Sequence, residues 1–265
     1  MRKHRLIQLA ATLAFPLMLA GCFHQPTIRN ENLNQAEPLN QNTSSVPLNN
    51  EPDVPAPDTF PFSSSAPSPV FRDSVPQSQD ILPQAPLKVV LDSSVPLTEQ
   101  STLSIINQGV EYGVGKANLN ESETTLNRNM SQTAPPGLYT VNYSLCEAAG
   151  TCSTGMFQFA IDSFWLTQYQ NWTHLPQVDV SLNGSAFLPR YLQVSAGTTV
   201  TWKNEDQVSH TVDSDPYSTH SYNSSLSSFE LKPGETYSFT FGTPGLYPYR
   251  CSFHPQSMTG VVLVE

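Results

Sequence analysis

Cys251, His254 and Met258 stand in one short segment, Cys251-Ser252-Phe253-His254-Pro255-Gln256-Ser257-Met258, and a second imidazole precedes them in His210-Thr211-Val212. One thiolate, two imidazoles and one thioether form a soft mixed donor set. A trigonal His₂Cys arrangement with a weak axial Met is the set that holds copper in electron-transfer sites. Cu(I) and Cu(II) prefer different geometries, so a stiff scaffold that holds a compromise between them keeps the rearrangement on electron exchange small. A lone histidine is more often a surface or satisfied core residue, and a lone methionine is usually core. It is the joint order of these four, His210, Cys251, His254 and Met258, that carries the reading of one copper ion per chain.

Positioning such donors is work for strands. Tyr191–Val194, Thr198–Trp202, Thr236–Phe241, Tyr247–Cys251 and Gly260–Val264 read as strands, several with period-2 alternation. Leu231-Lys232-Pro233-Gly234-Glu235 and Thr243-Pro244-Gly245 read as turns. With no helical period in this region, a β-sandwich over residues 177–265 is the economical expectation.

The stretches Gly197-Thr198-Thr199-Val200-Thr201-Trp202-Lys203-Asn204, His210-Thr211-Val212 and Pro244-Gly245-Leu246-Tyr247-Pro248-Tyr249-Arg250-Cys251, with the Cys–His–Met loop, resemble the plastocyanin-like cupredoxins. The resemblance implies a Greek-key sandwich and the ligands His210, Cys251, His254 and Met258 around one type 1 copper. It also implies that the Thr211 amide donates to the Cys251 sulfur. An exposed ring edge of His254 would be the electron port, with Phe253 and Pro255 near an apolar docking rim. His174 and His220 have no partner spacing and are expected at the surface. Glu205, Asp206, Asp213 and Asp215 read as a solvated loop; the alternative is that they steer a basic partner.

Residues 86–165 form a separate folded unit, with strands over Leu87–Leu91, Ser101–Ile106, Gly137–Tyr143 and Met156–Ile161. Pro136-Gly137-Leu138-Tyr139-Thr140-Val141-Asn142-Tyr143, Thr154-Gly155 and Phe157-Gln158-Phe159 resemble the CopC family of periplasmic copper carriers, which implies an immunoglobulin-like sandwich. That family's copper(II) site uses histidines, and residues 86–165 contain none; only Met130 and Met156 offer thioethers. The expectation is a spacer or docking platform, and an all-β chain of two sandwich domains. The linker, 166–176, with its neighbours Phe164 and Trp165, is rich in aromatics, which suggests that the two domains pack together.

At the start of the chain, Arg2, Lys3 and Arg5 precede the apolar run Leu6–Leu19. Leu19-Ala20-Gly21-Cys22 resembles a bacterial lipobox, which implies removal of residues 1–21, lipidation of Cys22 and multi-chain membrane anchoring. Phe23 after the cysteine, where an Asp would retain the protein, implies the outer membrane, facing the periplasm or the cell surface. Residues 22–85 contain many prolines and no glycine, and read as a disordered tether. Of the four cysteines, Cys146 and Cys152 remain once lipid and metal take theirs. In an exported protein they are expected to form a disulfide, the alternative being two free buried thiols.

The net charge of −10 becomes more negative without Arg2, Lys3 and Arg5, and no basic cluster supports nucleic-acid binding. Enzyme readings lack support: Cys251 is flanked by Arg250 and Ser252 rather than by the histidines that wire a trinuclear copper cluster, and no G-x-S-x-G elbow occurs. Two functions remain, neither needing a small-molecule substrate. One is single-electron transfer between exported redox proteins, and the other is copper binding, buffering or delivery to a copper-handling partner.

Overall fold

The computed structural model describes residues 59–265; the expected signal segment, Cys22 and most of the tether lie outside the described residues. Among the described residues the first sandwich contains β1 (Phe71–Val75), β2 (Ile81–Leu82), β3 (Lys88–Ser93), β4 (Thr102–Asn107), β5 (Val110–Glu111), β6 (Gly113–Leu119), β7 (Thr125–Met130), β8 (Gly137–Cys146) and β9 (Cys152–Ile161). They form two sheets, ordered β1-β3-β7-β6 and β2-β9-β8-β4-β5. Strict alternation in β8 buries Tyr139, Val141, Tyr143 and Leu145 and leaves Thr140, Asn142 and Ser144 less covered. Those inward residues meet Val89, Leu91, Leu126 and Phe159 in a single core. The β8–β9 hairpin places Cys146 directly opposite Cys152, and the two form a disulfide.

This unit begins earlier than residue 86, which corrects the expected extent of the tether. β1 pairs antiparallel with β3, and Val70, Val75 and Ala85 are buried. Further upstream, the Ser65 amide donates to the Met156 carbonyl at 3.1 Å. The reason is positional. Phe71-Arg72-Asp73-Ser74-Val75 is an edge strand, so half of it can be polar, and its apolar partners lie far along the chain.

The second sandwich contains β10 (Gln170–Asn171), β11 (Gln177–Asn183), β12 (Ala186–Leu188), β13 (Tyr191–Val194), β14 (Thr198–Asn204), β15 (Asp213–Ser214), β16 (Thr236–Phe241), β17 (Gly245–Arg250) and β18 (Thr259–Val264). Its sheets run β12-β11-β14-β16 and β10-β13-β18-β17-β15. Trp202, Phe187, Phe241, Tyr249 and Val262 fill the space between them. The aromatic-rich linker carries secondary structure of its own: a 3₁₀ turn spans Ser163–Gln168, and β10 pairs in parallel with β13. Short strands like β10 and β15, two residues each, leave no period to read in the sequence. No helix among the described residues is long and apolar enough to cross a membrane.

Both sandwiches belong to one compact unit and meet along a polar and apolar seam. Leu87 packs where Gly245 (φ +149°) leaves space: a Cβ there would come within 2.7 Å of Leu87 Cγ. The Leu87 amide donates to the Tyr222 hydroxyl at 2.9 Å. Asp92, fully buried on β3, accepts from the Ser218 and Thr219 hydroxyls at 2.5 and 2.8 Å. Burial pushes its carboxyl pKa up, and the hydroxyl donors oppose that shift. Trp165 and Tyr169 line a cavity of about 130 Å³ in this seam, with Asp80, Arg190 and Arg250.

Candidate metal centre

The ligand segments hang from the ends of β14 and β17 at one end of the second sandwich. After β14, Asn204 folds the chain back, its side-chain amide donating to the carbonyls of Val208 and Leu231 at 2.8 Å each. His210 is then fixed by a two-way backbone bridge to Leu231. β17 runs directly into Cys251, whose amide donates to the Met258 carbonyl at 3.0 Å. Inside that turn the amides of His254 and Met258 donate to the carbonyls of Cys251 and His254. The two segments are tied across by the Ser252 amide on Thr211 Oγ1 at 2.8 Å.

The side chains converge. Nδ1 of His210 lies 3.6 Å from Cys251 Sγ, and Nδ1 of His254 lies 3.7 Å from it. The donor atoms of these three residues all lie within 4.8 Å of one another. Bonds from a first-row ion to imidazole and thiolate run about 2.0–2.1 Å and about 2.3 Å, as zinc shows with these donors. With those lengths, nitrogens 3.6 and 3.7 Å from the sulfur subtend about 110–120° at a shared ion. The donor set therefore fits one metal ion in trigonal surroundings. Met258 is 1 % exposed and belongs to the same core cluster as Cys251 and Val212.

The surroundings settle which atoms face inward. His210 is fully buried and its Nε2 lies 2.8 Å from Asp206 Oδ2. Donation from Nε2 to that carboxylate leaves Nδ1 as the free lone pair, the arrangement that orients metal-binding histidines. Asp206 in turn accepts the amides of Gly184 and Ser185 at 2.8 Å, and these hold its carboxyl pKa below the usual range, with His210 adding to them. The Thr211 amide points at Cys251 Sγ, 3.3 Å away, so the sulfur accepts a backbone hydrogen bond as the resemblance implied. Cys251 is fully buried, whereas His254 is half-buried beside an exposed Phe253.

Some expectations are corrected here. Glu205 is exposed in a solvated loop as expected, but the half-buried Asp206 beside it also orients His210. Asp213 and Asp215 are buried: Asp213 accepts from Ser227 and Ser252, and Asp215 pairs with Arg250. His220 is half-buried with Nδ1 on the Ser214 carbonyl at 2.9 Å, while His174 is exposed. The sequence signal for Asp215 was Arg250 itself, the charged last residue of an otherwise apolar and aromatic strand. The lipidation site Cys22 lies outside the described residues.

Copper binding proteins of the plastocyanin/azurin family match residues 176–265, and the CopC domain matches residues 71–162, in line with the early start of the first sandwich. The chain is 40 % identical over 85 residues to halocyanin from Natronomonas pharaonis, covering 31 % of this chain and 50 % of that protein. It thus spans about half the length of that relative. It is 38 % identical over 89 residues to plastocyanin B'/B'' of Nicotiana tabacum, covering 31 % of this chain and 90 % of that protein. Among solved structures, CopC from Methylosinus trichosporium OB3b aligns with 36 % of this chain and 94 % of that one, at 22 % identity and a TM-score of 0.33. Through the sandwich that carries His210, Cys251 and His254, and behind a CopC domain, this chain belongs to the plastocyanin/azurin family of copper-binding proteins, and copper is the metal its site takes.

Proposed function

We propose that the protein is a lipid-anchored one-electron carrier of the bacterial cell envelope, with one type 1 copper per chain held by His210, Cys251, His254 and Met258. The observation that carries this reading is the convergence of two Nδ1 atoms on a buried cysteine sulfur that also accepts the Thr211 amide. When bound, copper supplies a one-electron couple between Cu(II) and Cu(I). The chain's own residues do the rest. Asp206 holds the His210 ring, the Ser252–Thr211 bond locks the two ligand segments together, and the core around Met258 keeps water from the thiolate. Donors fixed by such contacts move little between oxidation states, which favours fast exchange. His254, half-buried beside Phe253 at 52 % exposure, is the point a redox partner approaches. No enzymatic turnover belongs to this reading.

Copper buffering or delivery is the second reading, favoured by the CopC match over residues 71–162. Against it, that domain has no histidine. The test is to load the full chain with Cu(II), reduce it, and challenge it with a Cu(I) chelator. A carrier of electrons keeps its copper through repeated cycles; rapid loss on reduction would favour delivery. The anchor is tested separately: Cys22→Ala should release the protein from membranes, and persistent association would refute lipidation at Cys22.

A further inference from the structure

Arg250 immediately precedes the ligand Cys251, and its side chain is only 2 % exposed. A buried guanidinium is costly unless its donors are met. Its Nε donates to Asp215 Oδ1, and its Nη1 donates to the Pro255 carbonyl at 3.2 Å, one residue beyond His254. The same Nη1 lies 3.7 Å from Asp73 Oδ2. Asp73 sits on β1, in the other sandwich, and is itself held by the amides of Ser74 and Tyr217 at 2.8 and 3.4 Å.

Stability alone is a poor reason for this arrangement. Buried ion pairs roughly break even against well-packed apolar residues, because desolvation offsets the attraction. What an apolar side chain could not do is hydrogen-bond two separate segments and pair with a carboxylate on a third at once. The forked guanidinium joins β1, the segment after β15 and the ligand loop. Within that loop, the hydrogen bonds among Cys251, His254, Ser257 and Met258 shape the turn but do not tie its middle to either sandwich. The Arg250–Pro255 bond does.

We infer that Arg250 is a positioning residue for the metal loop, and that the histidine-free sandwich supports it there through Asp73. The role of the first sandwich is then to buttress the site rather than to bind metal of its own. The inference rests on the copper reading for its spectroscopic consequences, and on the geometry alone for its mechanical ones.

The experiment uses the full chain with Asp73→Asn, Arg250→Gln and Arg250→Lys. In the metal-free protein, hydrogen exchange at the His254 and Met258 amides should speed up about tenfold in Arg250→Gln, as expected for loss of one hydrogen bond to a charged group, and by a smaller measurable factor in Asp73→Asn, which loses the ion pair at 3.7 Å. Arg250→Lys should recover part of the protection. After copper loading, the same variants should show a shifted reduction potential and a shifted thiolate-to-copper band while remaining folded. Parental exchange rates and an unchanged potential in folded Asp73→Asn and Arg250→Gln would overturn the inference. If Arg250→Gln does not fold, Asp73→Asn decides the matter, since it leaves Arg250 and its bonds to Asp215 and Pro255 in place. If the parent itself shows no thiolate-to-copper band, the copper reading fails, and exchange in the metal-free protein still decides whether Asp73 and Arg250 hold the loop.

Discussion

The two sandwiches use the same construction and differ in what their strand ends carry. In the first, the β8–β9 hairpin closes on a disulfide, Cys146–Cys152, and no histidine occurs in the domain. In the second, β17 runs into Cys251, and the chain leaving β14 brings an imidazole to meet it. The contrast extends to second contacts. Glu111, in the first sandwich, accepts the amides of Ile105 and Gly113 at 2.9 and 2.7 Å, much as Asp206 accepts those of Gly184 and Ser185. Only Asp206 also faces a ring nitrogen. A β-sandwich thus supplies rigidity for either role, and the chemistry comes from a few residues at one end.

The largest effect that would sharpen this contrast is on the cores. Trp202→Ala should destabilise the second sandwich by about 3–5 kcal/mol in urea unfolding and weaken copper binding with it. Tyr139→Ala removes a comparably buried ring from the first core at a similar cost, yet its folded fraction should keep the visible copper band. Loss of that band in folded Tyr139→Ala would mean that the first core shapes the ligands directly.

A smaller difference separates the paired carboxylates. Asp206→Asn should weaken copper affinity about 10–100-fold, because the amide cannot serve both the backbone donors and the His210 ring as the carboxylate does. Glu111→Gln should leave affinity unchanged. Equal effects in competition titrations would break the comparison.

The smallest effect is at the seam. Burial raises the Asp80 pKa to about 6 against the hydrogen bond from the Gln77 amide, with Asp215 adding to the shift and Arg250 and Arg190 opposing it. The folded protein therefore binds this proton more tightly than the unfolded chain does. The resulting stabilisation is fully present below about pH 4 and is lost as pH rises through about 6. Asp80→Asn should flatten that part of the stability profile. A parent profile already flat between about pH 4 and 7 would contradict the burial of a carboxyl between the sandwiches.

What was legible in the sequence follows the range of the interactions. The strand Thr236–Phe241 is found as expected, and β13 likewise, because alternation is a local signal. The Cys–His–Met segment is also local, so Cys251, His254 and Met258 could be proposed before any coordinates, while His210, 41 residues before Cys251, came from the resemblance; the structure brings His210, Cys251 and His254 together. The start of the first sandwich was not legible, since Phe71-Arg72-Asp73-Ser74-Val75 has the composition of an exposed segment and gains order from β3 and from partners far along the chain. Asp213 and Asp215 read as solvated because acidic side chains usually are. Their partners, Ser227 and Arg250, stand 14 and 35 residues away, and Asp73 meets Arg250 from the opposite sandwich. Seam contacts such as Asp92 with Ser218 join residues more than a hundred positions apart, beyond the reach of any period or motif.

The most direct test of the central claim is a Cu(II) titration of the full chain, followed by its visible spectrum, beside the same titration of Cys251→Ser. The account predicts an intense thiolate-to-copper band that saturates at one copper per chain in the parent and is absent from Cys251→Ser. A parent that binds copper without this band, or a Cys251→Ser variant that keeps it, would contradict the assignment of His210, Cys251 and His254 as one metal centre.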